Sequence, residues 1–120
     1  MNFPSQVSVC DVGPRDGLQN EKEPISTDDK LRLINRLIAA GLPAIEVSSF
    51  VSPKWVPQMA DAEELFARVD RTTGTRLWGL IPNDKGYQRA KGANVDGVRL
   101  VVMASETFQK KNVNRTIEDG

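Results

Sequence analysis

Four polar side chains crowd a short stretch near the start of the chain: Arg15, Asp16, Gln19 and Glu21. They follow an apolar run, Val7 to Val12, which stops at Gly13-Pro14, so the sequence reads as a strand passing into a loop. A carboxylate in such a loop can hold a hard divalent cation. A guanidinium beside it can steady a developing oxyanion. The same Arg-Asp pair can also do no more than tie down a surface loop, and spacing alone leaves both readings open. Comparable polar groups follow later apolar runs: Glu46 with Ser48 and Ser49, then Asn83, then Ser105 and Glu106.

Composition narrows the classes of chemistry. At 120 residues the chain has the size of one modest domain. Its 16 basic and 16 acidic residues cancel, which leaves no electrostatic ground for binding nucleic acid or an anionic membrane. No apolar stretch approaches the ~20 residues that span a bilayer. Met1 to Ser5 lack the basic head and apolar run of a signal peptide. The lone Cys10 admits no internal disulfide and suits a reducing compartment. A soluble, cytoplasmic protein is expected. Cys10 falls within the first apolar run, where a small core residue is expected rather than a nucleophile. Histidine is absent, which excludes a Ser-His-Asp triad, a Cys-His pair and the usual zinc sites from these 120 residues.

The elements that must position the polar groups alternate. Ser26 with Asp29 opens a helix whose apolar stripe is Leu31, Ile34, Leu37 and Ile38, stopped by Gly41 and Pro43. A strand, Ala44 to Val47, leads into a loop in which Pro53 and Pro57 forbid regular structure. A helix from Asp61 to Val69 carries Ala62, Leu65, Phe66 and Val69 on one face. A third strand, Leu77 to Ile81, ends at Pro82. Asn83 then caps a short helix with Tyr87 and Ala90 on its apolar side. The fourth strand, Val98 to Met103, is nearly all apolar, as a strand covered on both faces should be.

This β-α-β-α-β-α-β order calls for a parallel sheet with helices outside it. No Gly-x-Gly-x-x-Gly or P-loop follows a strand, which counts against a nucleotide-binding doubly wound sheet. Polar residues after each strand suit a (β/α)8 barrel whose active face is built from successive βα loops. A complete barrel takes ~250 residues. Residues 1–120 therefore read as the N-terminal half of a TIM-barrel domain, an α/β chain supplying the first four βα units.

Three stretches resemble the hydroxymethylglutaryl-CoA lyase family: Val12 to Lys22, Glu46 to Met59, and Ala104 to Asn114. The likeness spans essentially the whole chain. The resemblance implies a metal-dependent lyase barrel of leucine catabolism and ketone-body metabolism. Such an enzyme cleaves 3-hydroxy-3-methylglutaryl-CoA to acetoacetate and acetyl-CoA with Mg2+ or Mn2+. By that likeness Asp16 is the metal-binding carboxylate and Arg15 stabilises the enolate left by C–C cleavage. Glu46 is the second active-site carboxylate. Gln19, Lys22, Ser49, Lys110, Lys111 and Asn112 meet the acyl-CoA substrate.

The family takes two histidines and an asparagine as further metal ligands, and a cysteine as proton shuttle, from later strands and loops. A chain of these 120 residues alone is therefore expected to be inert. Asp11 stands where the family more often has Glu, and the shorter carboxylate is expected to shift a hydrogen bond in the site. Plainer readings remain beside these. Glu46 can be an inward-facing carboxylate paired with Arg15, Lys110 and Lys111 a solvated charge pair, and Trp55 a packing plug. Two functional alternatives also stand. One is another acyl-CoA or 2-oxoacid lyase or synthase of the same metal-dependent superfamily. The other is a non-catalytic half-barrel that forms a homo-oligomer, or complements a missing half, through the open edges of strands one and four.

Overall fold

The computed structural model describes residues 1–113, 116 and 118. Its first helix, α1 (Thr27–Ala39), begins where the Ser26 hydroxyl accepts the Asp29 amide at 3.1 Å, satisfying one orphan donor of the opening turn. Leu31, Ile34 and Ile38 bury one face of α1. Gly41, at φ +84°, closes it with a conformation that costs glycine nothing. Strand β2 (Ala44–Ser49) follows at once and is buried at every position.

Four strands form one sheet in the order β1 (Cys10–Asp11), β2, β3 (Arg76–Ile81), β4 (Gly97–Leu100), and every neighbouring pair is parallel. The connections carry α1, α2 (Ala62–Arg68) and α3 (Asp84–Gly92), and α4 (Glu106–Val113) follows β4. Asn83 caps α3, its side-chain oxygen accepting the Gly86 amide at 2.9 Å. Between helices and sheet lies the core, built from Ile34, Ile45, Val47, Leu65, Phe66 and Leu77 among others. Phe50 and Phe66 stack there with ring centroids 5.5 Å apart. Their place over the sheet depends on Gly79, where a Cβ would lie 2.6 Å from Phe50 Cε2.

Two ion-pair clusters fasten the helical layer. Lys30, 4% exposed on α1, donates to Asp61 Oδ1 at 2.8 Å and to the Gln58 carbonyl at 2.5 Å, while Thr27 donates to Asp61 Oδ2 at 2.7 Å. Arg89 of α3 forks onto both Glu63 oxygens at 2.6 and 3.0 Å, reaches the Val51 carbonyl and covers the Phe50 ring. Arg89 thereby holds the carboxyl of Glu63 below its ordinary range.

The strands differ from the sequence expectation at both ends of the sheet. Pairing in β1 is confined to Cys10–Asp11, and Val7 and Val9 are exposed. The partner strand explains this: Cys10 pairs with Ala44, and the residue before it, Pro43, has no N–H to extend the ladder. At the other edge β4 stops at Leu100, opposite Ile81, because Pro82 follows. Leu100, Val101 and Val102 are exposed, so the apolar run Val98 to Met103 is not covered on both faces. Tyr87 is also exposed, while Gly86 and Ala90 form the buried side of α3. A glycine serves there because a Cβ at Gly86 would meet Pro82 Cδ at 2.6 Å.

Candidate active site

The polar loop after β1 is helical. Gly13–Gly17 forms one wide helical turn, with the Asp16 amide bonded to the Val12 carbonyl at 2.7 Å. Asp11 sets its start by accepting the Gly13 amide at 2.8 Å. The approach is so close that a Cβ on Gly13 would lie 2.9 Å from Asp11 Oδ1. Asp11 thus acts on the backbone of the turn. The turn lifts Arg15, Asp16 and Gln19 over the carboxyl end of the sheet, where parallel α/β folds place their chemistry.

Glu46 projects from β2 and is fully buried. Arg15 Nε donates to its Oε1 at 2.5 Å. The same guanidinium reaches Asp16 Oδ1 through Nη1 at a looser 3.3 Å. One cation therefore joins the two carboxylates that the sequence singles out. The other oxygen, Glu46 Oε2, faces Arg99 Nε at 2.9 Å. That contact is short enough for an ion pair, yet Oε2 accepts no aligned hydrogen bond. Arg99 lies 5.9 Å from the centre of the Trp78 ring and Arg76 lies 5.4 Å from it. Trp78 in turn is opposite Glu46 in the β2–β3 register.

A bulge decides which serine joins this face. Ile45 pairs with Leu77 and Glu46 with Trp78, but Ser48 pairs with Gly79 and Ser49 with Leu80. Val47 is the extra residue. Alternation would have placed Ser48 beside Glu46. With the bulge, Ser48 turns to the helical layer, where its hydroxyl meets Met59 Sδ at 3.5 Å. Ser49 shares the inner face with Glu46 instead. Its hydroxyl is buried with no hydrogen-bond partner among the described residues, and the same holds for Gln19 Oε1. Both are polar atoms in want of a ligand or a neighbour.

The remaining expected contacts stand apart. Lys22 lines an open hollow of about 450 Å3 with Lys30, Pro57 and Gln58. Lys110 and Lys111 are exposed on α4, and Asn112 lies in the same helix with its side chain outside the described residues. Trp55 is 86% exposed and packs as no plug. Another hollow, of about 440 Å3, lies between α2 and α3 around Glu63 and Arg89. Neither hollow is lined by Arg15, Asp16 or Glu46.

Asp16 is the group suited to a divalent cation, being an exposed hard oxygen donor. Glu46 is not free to ligate while a guanidinium faces each oxygen. Among the described residues no three His, Cys, Asp or Glu side chains cluster as a metal site. These residues thus offer a cation one ligand and not a full shell. Cys10, on the adjoining strand, has its thiol pushed up by burial, with Arg99 pulling the other way. A raised thiol pKa disfavours the nucleophilic thiolate, but Cys10 is only partly buried and is not the core residue expected from its place in the apolar run.

Two groups here were not foreseen from sequence. Arg99 was legible as the one charge inside the apolar run Val98 to Met103. Lys30 had no such signal, since a lysine beside two aspartates ordinarily marks a solvated helix face.

Comparison with known proteins gives one consistent match. A family model described as HMGL-like covers residues 6–119. A Pseudomonas aeruginosa 3-hydroxy-3-isohexenylglutaryl-CoA/hydroxy-methylglutaryl-CoA lyase is 51% identical over 119 residues, which are 99% of this chain and 40% of the relative. The Bacillus subtilis HMG-CoA lyase superposes with a TM-score of 0.93 at 40% identity, covering 99% of this chain and 40% of that one. The Acinetobacter baumannii HMG-CoA lyase, solved with coenzyme A and 3-methylmalate, gives 0.90 at 43% identity over 97% of this chain and 38% of that one. The chain spans about two-fifths of the length of the relatives it matches.

Proposed function

The chain belongs to the HMGL-like family, and on that footing we propose that it supplies one half of the active centre of a hydroxymethylglutaryl-CoA lyase. It does so as the N-terminal half of a TIM-barrel domain. The observation that carries this reading is the Asp16–Arg15–Glu46 arrangement, in which one guanidinium spans two carboxylates at the carboxyl end of a parallel sheet. In retro-Claisen cleavage the tertiary hydroxyl loses its proton and the bond between C2 and C3 breaks. The electron pair passes into the acetyl-CoA enolate as the ketone of acetoacetate forms. Asp16 would hold Mg2+ or Mn2+, which supplies Lewis acidity toward that hydroxyl. Arg15 is tethered through Nε to a buried carboxylate, so its outer edge is oriented without further ordering toward the enolate oxygen. The Ser49 hydroxyl and the Gln19 side-chain oxygen, unpartnered among the described residues, are suited to polar groups of the acyl chain. Lys22, Lys110, Lys111 and Asn112 are assigned to the CoA moiety on family likeness alone. The cytoplasm is the proposed compartment, which the free Cys10 suits.

The test is a chimera in which this chain replaces the matching two-fifths of the P. aeruginosa lyase. Acetoacetate release from 3-hydroxy-3-methylglutaryl-CoA with Mg2+ and a thiol reductant is expected. Asp16→Ala in that chimera should lower the rate by at least about 10–100-fold, the range set by losing even an outer-shell partner of a metal site. The 120 residues alone should release none. A folded chimera that is inactive while its parent turns over would sink the assignment.

A second reading has its own observation. Among the described residues the outer edges of β1 and β4 have no paired strand, and Leu100, Val101 and Val102 are exposed beside one of them. Such edges favour a half-barrel that associates with itself. A monodisperse monomer on size-exclusion chromatography would contradict it.

A further inference from the structure

Glu46 carries two cations from opposite sides, and the lyase reading uses only one of them. Arg15 Nε holds Oε1 at 2.5 Å and Arg99 Nε holds Oε2 at 2.9 Å. Glu46 is 0% exposed, Arg15 16% and Arg99 44%. A buried carboxylate with only Oε1 engaged could pivot about its terminal torsion, which is broad for glutamate. A contact at each oxygen removes that freedom. Arg99 is itself held: it leans on the face of Trp78, and Gly97 lets that ring lie flat against β4. A Cβ at Gly97 would meet the ring at 2.6 Å. Packing thus runs from Trp78 to Arg99, and charge runs from Arg99 through Glu46 to Arg15 and Asp16.

The pattern has an electrostatic consequence. With Asp16 counted, two guanidiniums face two carboxylates, so the cluster is formally neutral and what Arg15 keeps is an N–H edge turned away from Glu46. Arg15 also has no hydrogen bond at Nη2 among the described residues. We propose that Arg99 is a positioning residue: it locks the Glu46 carboxylate so that Arg15 keeps one orientation, with its outer edge free for an anionic oxygen of the substrate. The role of that edge rests on the lyase reading; the locking of Arg15 does not.

The experiment is nuclear magnetic resonance on the 120-residue chain, following exchange of the Arg15 Nε–H with solvent. In Arg99→Met that proton should exchange about tenfold faster, the change expected when one charge-assisted hydrogen bond loosens, while backbone amides away from the inner face keep their shifts. Arg99→Lys, which keeps the charge but loses the planar stack on Trp78, should give exchange between that of the parent and that of the neutral variants. Arg99→Gln repeats the neutralisation with a side chain suited to a half-exposed position, so a misfolded Arg99→Met does not decide the question. An Arg15 Nε–H that exchanges within about twofold of the parent in both neutral variants would overturn the proposal. So would a lysine variant that behaves like the neutral ones. Failure of the lyase reading would appear separately, as an inactive chimera, and would leave the arginine signal intact.

Discussion

Replacing Lys30 by methionine tests whether the helical layer is held by a buried charge pair or by apolar packing alone. Methionine keeps the stem and removes the ammonium. Asp61 Oδ1 and the Gln58 carbonyl then lose donors at 2.8 and 2.5 Å. Deleting one partner of a fully buried ion pair costs about 3–5 kcal/mol. Two facts reduce the figure here. Asp61 is 17% exposed, so water can reach part of its carboxylate, and Oδ2 keeps the Thr27 hydroxyl at 2.7 Å. The expected loss is about 2–3 kcal/mol. In urea, with a slope of roughly 1–3 kcal/mol per molar, the midpoint should fall by about 1 M or more. The assay is equilibrium unfolding followed by far-ultraviolet circular dichroism. Lys30→Met combined with Asp61→Asn should cost less than the sum of the single changes by about 1–2 kcal/mol, because the second change removes the stranded charge. A single-variant loss below about 0.5 kcal/mol, with the two changes simply additive, would refute the view that this pair fastens α1 to the loop before α2.

Other changes separate packing from charge. Gly79→Ala places a methyl 2.6 Å from Phe50 Cε2 and should destabilise by about 1–3 kcal/mol through overpacking, read as a lower thermal midpoint. An unchanged midpoint would mean that Phe50 moves freely. Arg89 keeps the Glu63 carboxyl below its ordinary value of 4.5, so that ion pair stabilises the fold above this value and is lost as the pH falls through the depressed one. The difference in thermal midpoint between the parent and Glu63→Gln should therefore be present at neutral pH and shrink away once the pH has fallen through the depressed value. A gap that persists in acid would assign the effect to shape.

The alternation of strands and helices was legible because each element carries its own punctuation. Ser26 and Gly41 bracket α1, Asn83 caps α3, and Pro43 and Pro82 bound the strands. Arg15, Asp16 and Glu46 were legible by type and by position after a strand. What could not be read was exposure. An apolar run such as Val98 to Met103 looks the same whether or not something covers it, and here the sheet ends with it. The burial of Lys30 was hidden for a related reason. Its partner Asp61 is 31 residues away, and only the fold brings the two together. The link from Arg99 to Glu46 crosses β3 and depends on Trp78 and Gly97, neither of which bears the chemistry.

The extra residue in β2 makes the inner surface a matter of counting. Glu46 and Ser49 sit three apart yet point the same way, so the lining of this face is encoded by the number of residues between them as much as by their identities. Deleting Val47 would remove the bulge and keep Ser48 opposite Gly79 and Ser49 opposite Leu80, whereas a β2 that retained Val47 in regular pairing would send Ser48 inward and Ser49 toward Met59. Point substitutions in β2 can only subtract a group from this surface, whereas drawing Val47 into the ladder would re-sort it.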